Sequence, residues 1–454
     1  MAPIEFAYWV PNIKKGLVNT SIPQRTNNSL EYNVKLAQIA EEKGFTFALT
    51  QIRFMAAGDD SQYESVSFSQ AILSKTEHLN VIAAILPGPW HPALAAKIFG
   101  SIDHYVGGRL SINVVSGWWK DEQTRMGVEW PEHDKRYTRT KEFIRSIRGL
   151  WNENEFSLKG EFYNFDKYTM EPKPTFRVSP SSTSTNHGTL DSAEPPKEGR
   201  RGPIIFMGGN SAAARRLGGT DTDWFFFNGN DDDHFRRWII EVRENARQAG
   251  RRIRVGINGF VIAKPTHTEA YVRLNEIVAG ADEEKLKEFM KRFEEAGKSS
   301  PEGEGMWANA SLKDIIQGNE GFRTGLIGSY DQVARRIIAL KALGADLILT
   351  AFLHFQDEVA EFGDHVLPLV RQYEQEAIDS GEYEAWPTYE NYPVDPEKAA
   401  KFKPVGDGNT TDHFALAEQI AAEVAAANAA EKKREGENGD DGVANGHDAK
   451  RVKV

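Results

Sequence analysis

Eight short, almost continuously apolar runs, most of them followed by a longer stretch of helical periodicity, constrain this chain more than any other feature. They fall at 6–10, 46–50, 79–86, 110–116, 204–207, 223–228, 254–263 and 346–353. A strand that is apolar on both faces has to be covered on both, which is the condition of a parallel sheet in an α/β fold. Helix-period segments lie between the runs at 29–43, 65–75, 92–105, 133–151, 211–217, 232–249 and 268–296, and another follows at 357–380. Eight such units in line predict one (β/α)8 barrel of the TIM type, since a doubly wound sheet seldom needs so many in succession.

Composition narrows the function classes. The 454 residues include 25 Phe, 13 Tyr and 10 Trp, enough for a large core and for a site lined with rings. The net charge of −11 comes with no gathered basic stripe, so a nucleic-acid partner is not expected. No apolar run approaches the roughly 20 residues of a membrane span. The absence of Cys removes disulfides, thiolate nucleophiles and Cys-ligated metal or cluster sites. The N-terminus has no signal-peptide pattern and reads straight into a strand, so a soluble, cytoplasmic protein is expected.

Three stretches interrupt the alternation within a domain expected at 1–395. Residues 153–175 read as a hairpin. Residues 177–202, rich in Ser, Thr, Pro and Gly, read as a mobile insertion. Residues 297–325 hold a Gly-containing loop, either a lid over the barrel mouth or a plain surface connection. From 396 to 454 a low-complexity tail is expected to be largely disordered, although 418–430 is Ala-rich and helix-prone.

In such barrels chemistry gathers at the C-terminal ends of the strands. Those ends carry Trp9 and Asn12, Gln51, Ile52 and Arg53, then Asn113 through Trp118, Gly208 through Ser211, Asn228, and Phe352 through His354. The set is rich in rings, amides and hydroxyls and poor in carboxylates, which suits a flat aromatic cofactor better than a metal or a hydrolytic acid–base pair. The segment GGNSAAARR (208–216) is the best anion site: Gly209 allows close backbone approach, and Asn210 or Ser211 can cap a helix whose free N–H groups face a ligand. A capped turn without a ligand explains it equally well. Arg136 and Tyr137, opening the helix after the fourth strand, could reach the same anion, whereas Lys135, Arg139 and Lys141 read as a solvated face. His354 is the histidine best placed for catalysis or donation. Its spacing to Asp357 and His365 is not that of a metal motif, so no metal is expected, and there is no GxSxG elbow.

FAYWVPN, KLAQIAEEKGFTFALTQIRF, VIAAILPGPWHPALAAK, GGRLSINVVSGWWKDE, WPEHDKRY, GGNS and GFRTGLIGSYDQVA together resemble the bacterial-luciferase-like flavin monooxygenases, over roughly residues 4–392. Within that family they are most similar to members that oxidise dimethyl sulfone. The resemblance implies an enzyme that takes reduced FMN from a separate NAD(P)H-dependent flavin reductase and uses O2 as co-substrate. Its substrate would be a small neutral organosulfur compound, with dimethyl sulfone giving methanesulfinate and formaldehyde. It further implies Gln51 and Ile52 under the flavin ring, Asn113 and Glu122 near it, and Arg136, Tyr137 and Ser211 around the ribityl phosphate, with a homodimer or homotetramer as the assembly.

Strand-end placement adds roles for the rest of the site. Trp9, Trp118 and Phe352 would wall the pocket, and Gln51, Arg53, Asn228 or His354 would donate to sulfone oxygens, which only accept. Arg323 belongs to the candidate lid. Alkanesulfonate-oxidising relatives carry an Arg-x-His pair on the seventh strand and a Cys near the end of the second. Here Asn258 and Phe260 stand on that strand and Cys is absent, which favours an uncharged substrate. The alternatives are an oxygenase of another small substrate (alkanesulfonate, pyrimidine or amine), a flavin-binding barrel without turnover, and a hydrolase on the same barrel.

Overall fold

Each of the eight apolar runs forms a strand, and together they close a parallel barrel. In this computed structural model, which describes residues 2–14, 16–56, 61–178, 199–297, 303–305, 307–399 and 411–439, the barrel strands are β1 (Glu5–Val10), β2 (Phe47–Thr50), β3 (Asn80–Ile85), β4 (Leu110–Val114), β5 (Ile204–Gly208), β6 (Trp224–Phe227), β7 (Arg254–Phe260) and β8 (Leu347–Ala351). Neighbours follow chain order, and β8 closes onto β1 with Phe6 opposite Ile348. The predicted (β/α)8 barrel is therefore the observed fold.

Side chains alternate along each strand, so every second residue enters the barrel. Ala7, Phe47, Leu49, Ile82, Ile204, Phe206, Trp224, Phe226, Leu347 and Leu349 fill its interior. Phe206 stacks on Trp224 and Phe226 with centroids 5.4 and 5.3 Å apart, and Phe47 meets it edge-on at 5.5 Å. Gly256 on β7 makes room for this stack, since a Cβ there would fall 2.4 Å from the Phe226 ring. The barrel axis is thus packed with rings, and any ligand has to bind above them at the C-terminal mouth.

The opposite strand faces pack against helices α1 (Leu30–Glu42), α2 (Ser65–Leu73), α3 (Pro92–Tyr105), α4 (His133–Asn152), α5 (Ala212–Asp221), α6 (Asp232–Gln248), α7 (Tyr330–Ala342) and α8 (Phe355–His365). Helix starts coincide with capping side chains: Ser29, Ser211 and Asp231 each accept from a backbone N–H of the first turn. The sequence reading did not anticipate α7, which begins with a Ser329–Gln332 capping box immediately after a short strand, Ile327–Ser329. The predicted segment 268–296 divides into helices His267–Ala279 and Glu283–Gly297.

The hairpin expected at 153–175 is present, with Phe156–Lys159 antiparallel to Asn164–Tyr168. The insertion expected at 177–202 begins and ends in a short antiparallel pair, Phe176–Val178 with Gly199–Arg201, and its remainder lies outside the described residues. The tail expectation needs correction in one part. Residues His413–Gly439 form a helix, and its first turns pack onto the helix His267–Ala279. Ala417 is buried, and the Tyr271 hydroxyl shares a 2.7 Å hydrogen bond with His413 Nδ1. Low sequence complexity hid a short amphipathic stretch (Phe414, Leu416, Ala417, Ile420) that has a surface to cover. No described helix is long and apolar enough to cross a membrane.

Candidate active site

Inward alternation turns five side chains toward the barrel axis near the C-terminal ends of the strands: Trp9 on β1, Gln51 after β2, Asn113 on β4, Asn228 after β6 and Asn258 on β7. Four are amides, and three of these keep a buried polar atom without a hydrogen-bond partner: Gln51 Nε2, Asn113 Oδ1 and Asn228 Nδ2. A buried polar atom left unpaired costs about 1–3 kcal/mol, and a polar ligand at the strand ends would relieve all three. Beside them lies a small separate apolar cluster of Ile52, Ala84, Leu86 and partly buried Val115, at the ends of β2, β3 and β4. Two donors and one acceptor bordering an apolar patch fit the edge and face of an isoalloxazine ring.

The Gln51 backbone is fixed by Asn12, whose Oδ1 accepts from Gln51 N–H and whose Nδ2 donates to Gln51 O, both at 3.0 Å. Asn210 Oδ1 similarly accepts from Asn228 N–H at 3.3 Å, joining the ends of β5 and β6.

An anion corner lies to one side. Ser211 Oγ caps α5 by accepting from Ala214 N–H at 3.3 Å and shares a 3.0 Å hydrogen bond with the Tyr137 hydroxyl from α4. Arg136, one residue before, is 6% exposed and lies over the Trp130 ring at 4.2 Å. No described carboxylate pairs with Arg136, and burial lowers its pKa. A buried guanidinium without a described counter-ion, one residue before a tyrosine that bonds a helix N-cap, has the chemistry that suits a phosphate group. Arg215 does not add to it: its guanidinium pairs with Glu241 at 2.7 Å and Glu304 at 2.9 Å. Gly209 allows the backbone to pass close to α5, since a Cβ there would fall 2.9 Å from Ala214.

Other candidates take different places. Glu122 is buried and clamps the loop after β2, its Oε1 accepting from the N–H groups of Phe54 (2.7 Å) and Met55 (3.2 Å). Arg53 lies over Trp118 at 4.2 Å, and burial draws its pKa down to about 10 against the opposing charge of Glu122, so it remains a cation at neutral pH. His354 accepts from Arg25 N–H at its Nδ1 (3.3 Å); burial and then the nearby Arg25 charge lower its pKa. It ties the β1–α1 loop to the start of α8. Arg323 pairs with Glu320 at 2.9 Å and donates to Asn230 Oδ1 at 2.8 Å, tying its turn to the loop between β6 and α6.

Two expectations are corrected. Phe352 does not wall the pocket: it has the parity opposite to Leu347 and Leu349 and packs outward on Phe355 and Phe362. Arg139 is not solvated but 4% exposed, donating to Gln123 Oε1 and Glu129 O at 3.0 Å each.

This arrangement can be set beside known proteins. The sequence model of the luciferase-like monooxygenases matches residues 4–347. The FMNH(2)-dependent dimethylsulfone monooxygenase of Pseudomonas putida is 50% identical over 375 residues, covering 82% of this chain and 97% of that protein. The chain belongs to the luciferase-like monooxygenase family. A second such relative, from Pseudomonas fluorescens, is 47% identical over 82% of this chain and 96% of its own length. The crystal structure of long-chain alkane monooxygenase LadA shares the fold with a TM-score of 0.66 and 18% identity, covering 82% of this chain and 92% of that one.

Within this luciferase-like monooxygenase, two mouth residues had not been singled out for the roles the structure gives them. Asn258 Oδ1 accepts from the Trp9 indole at 2.7 Å, and its Nδ2 donates to Asn319 O at 2.9 Å. An amide on a strand otherwise rich in apolar residues was the available signal. Trp307, from the 303–325 segment, meets Trp118 edge-on at 5.4 Å; a lone aromatic in a Gly-rich loop carries little signal by itself.

Proposed function

We propose that this luciferase-like monooxygenase uses reduced FMN and dioxygen to cleave dimethyl sulfone, giving methanesulfinate, formaldehyde, oxidised FMN and water. The observation that carries the reading is the set of strand-end amides with three unpartnered buried atoms, together with a buried arginine at the start of α4 that has no described counter-ion. The 50% identity to a dimethylsulfone monooxygenase over nearly all of that relative supports the substrate.

Gln51, Asn113 and Asn228 would hold the polar edge of the flavin, Ile52, Ala84 and Leu86 its apolar face, and Arg136, Tyr137 and Ser211 its phosphate. Reduced FMN supplies the two electrons that let dioxygen react. The protein's part is binding, orientation and dryness. Trp9 and Trp118 give the mouth apolar walls that keep water from the reacting atoms. Sulfone oxygens accept and never donate, so the Arg53 guanidinium and Asn228 Nδ2 are the groups that would orient them. With Asn258 and Phe260 at its C-terminal end, β7 offers no cation there to an anionic sulfonate; its one arginine, Arg254, starts the strand and pairs with Glu5.

Such an enzyme needs an NAD(P)H-dependent flavin reductase as partner, and we place it in the cytoplasm as a homodimer or homotetramer. The test is a coupled assay with a flavin reductase, FMN, NADH, air and dimethyl sulfone, reading formaldehyde, methanesulfinate and hydrogen peroxide. Both organic products, dependent on sulfone and reduced FMN, are expected. Peroxide alone would discard the substrate, and no effect on the oxidation of reduced FMN would discard the flavin reading.

A further inference from the structure

The segment between the helix Glu283–Gly297 and the strand Ile327–Ser329 contains a conformational anomaly. Among the described residues four non-glycines have positive φ; two lie in the 153–175 hairpin, and the other two are Trp307 (φ 64°) and Glu320 (φ 56°). The left-handed conformation is unfavourable for an L-residue, and a bulky ring stays there only when its surroundings hold it.

Trp307 is held from three sides. Its indole N–H donates to Gly318 O at 2.7 Å, its backbone N–H donates to Glu320 Oε2 at 3.3 Å, and its ring meets Trp118 at 73°. Glu320 is itself anchored. It is 1% exposed, its Oε1 pairs with Arg323 at 2.9 Å, and its carbonyl lies so close to Gly229, after β6, that a Cβ there would fall 1.9 Å from the oxygen. On the far side, Trp118 stacks on Trp119 with centroids 6.0 Å apart and carries the Arg53 guanidinium on its ring. A continuous line of contacts therefore runs from the end of β6 through Glu320, Trp307 and Trp118 to Arg53 after β2.

We propose that Trp307 closes the mouth against Trp118 and limits the size of the sulfone admitted, with Glu320 as its positioning residue. The size limit rests on the sulfone reading above; the closure does not. Two methyl groups fit beside an aromatic edge, whereas longer alkyl arms need the volume that the indole fills.

The experiment compares full-length wild type with Trp307→Ala, Trp307→Phe, Glu320→Ala and Glu320→Gln, all checked for native far-UV circular dichroism. The first readout needs no flavin: acrylamide quenching of tryptophan fluorescence and the near-UV dichroism of the Trp118 cluster. Trp307→Ala and Glu320→Ala should raise quenching and reduce the near-UV signal. Glu320→Gln, which keeps an acceptor for the Trp307 N–H, and Trp307→Phe should stay nearer wild type. The second readout is the ratio of kcat/KM for diethyl over dimethyl sulfone, expected to rise about tenfold in Trp307→Ala, the size of a methylene effect in an apolar pocket, with more peroxide per flavin oxidised. Wild-type quenching and an unchanged ratio in Trp307→Ala would overturn the proposal. If wild type oxidises no sulfone, the functional reading falls, and the quenching comparison alone decides closure.

Discussion

The Trp9 indole on β1 donates to the Asn258 amide oxygen on β7, 249 residues later, at 2.7 Å. The other end of the same amide donates to Asn319 O at 2.9 Å, and the Asn258 carbonyl accepts from Thr324 Oγ1 at 2.5 Å. One buried residue thus ties β1 to the turn that carries Asn319 and Thr324. Both ends of the amide are engaged, so neither Asp nor Leu can replace it fully.

Asn258→Leu should leave the Trp9 N–H and the Asn319 carbonyl unpaired, at about 1–3 kcal/mol for each buried group. We expect a lower urea midpoint and more peroxide per product formed. Asn258→Asp, which keeps the acceptor for Trp9, should retain more of the coupling. Equal coupling in wild type and Asn258→Leu would show that the tie does not serve the chemistry.

Removing the buried cation of the anion corner should weaken phosphate binding selectively. For Arg136→Ala we expect FMN affinity to fall by roughly 1.5–3 kcal/mol, the usual worth of a hydrogen bond to a charged group. Riboflavin, which has no phosphate, should bind both forms alike in a calorimetric titration. A parallel loss for riboflavin would assign Arg136 to packing on Trp130 instead.

Gly229→Ala tests the close approach at the end of β6. The added methyl would meet the Glu320 carbonyl at 1.9 Å, and overpacking of this kind costs about 1–3 kcal/mol. Thermal denaturation should show the loss, together with the increased acrylamide quenching expected of Glu320→Ala. Wild-type stability would mean that the 303–325 segment yields easily.

The C-terminal helix should respond to acid. Burial lowers the His413 pKa from 6.5 to about 4, so the docked state binds fewer protons than the released one. Docking is then strongest above pH 6.5 and weakens progressively as the pH falls toward 4. Hydrogen exchange over 413–430 should accelerate across that window, and less steeply in His413→Phe. A pH-independent pattern in wild type would exclude this linkage.

The barrel was legible because its strands are apolar on both faces, a pattern few other elements share. The meeting of α4 with the start of α5 was legible through Ser211, which caps α5, and through Tyr137 at the opening of α4, which bonds it. Strand-end position, however, gives a residue's height along the barrel axis and not the face it takes. Phe352 shows the difference: counting in twos from Leu347 and Leu349 sends it outward. The contacts of Arg139 and Glu122 were hidden for another reason. Apart from Gln123 Oε1, their partners are the Glu129 carbonyl and the Phe54 and Met55 amides, backbone groups of irregular loops that no side-chain pattern announces. Trp307 depends on a left-handed backbone that an aromatic residue rarely adopts, so propensity argues against the conformation it has.

Phe322, in the turn that carries Arg323, is sandwiched between Phe260 of β7 (4.8 Å) and Phe414 of the C-terminal helix (5.8 Å). During synthesis β8 can pair with β1 and close the barrel well before residue 414 is made. The growing chain must therefore pass through a stage in which the cylinder is complete but one face of Phe322 is bare. Translation reaches Phe414 only well after β8, so a chain broken off shortly after β8 would hold its strands yet lack the ring that covers Phe322.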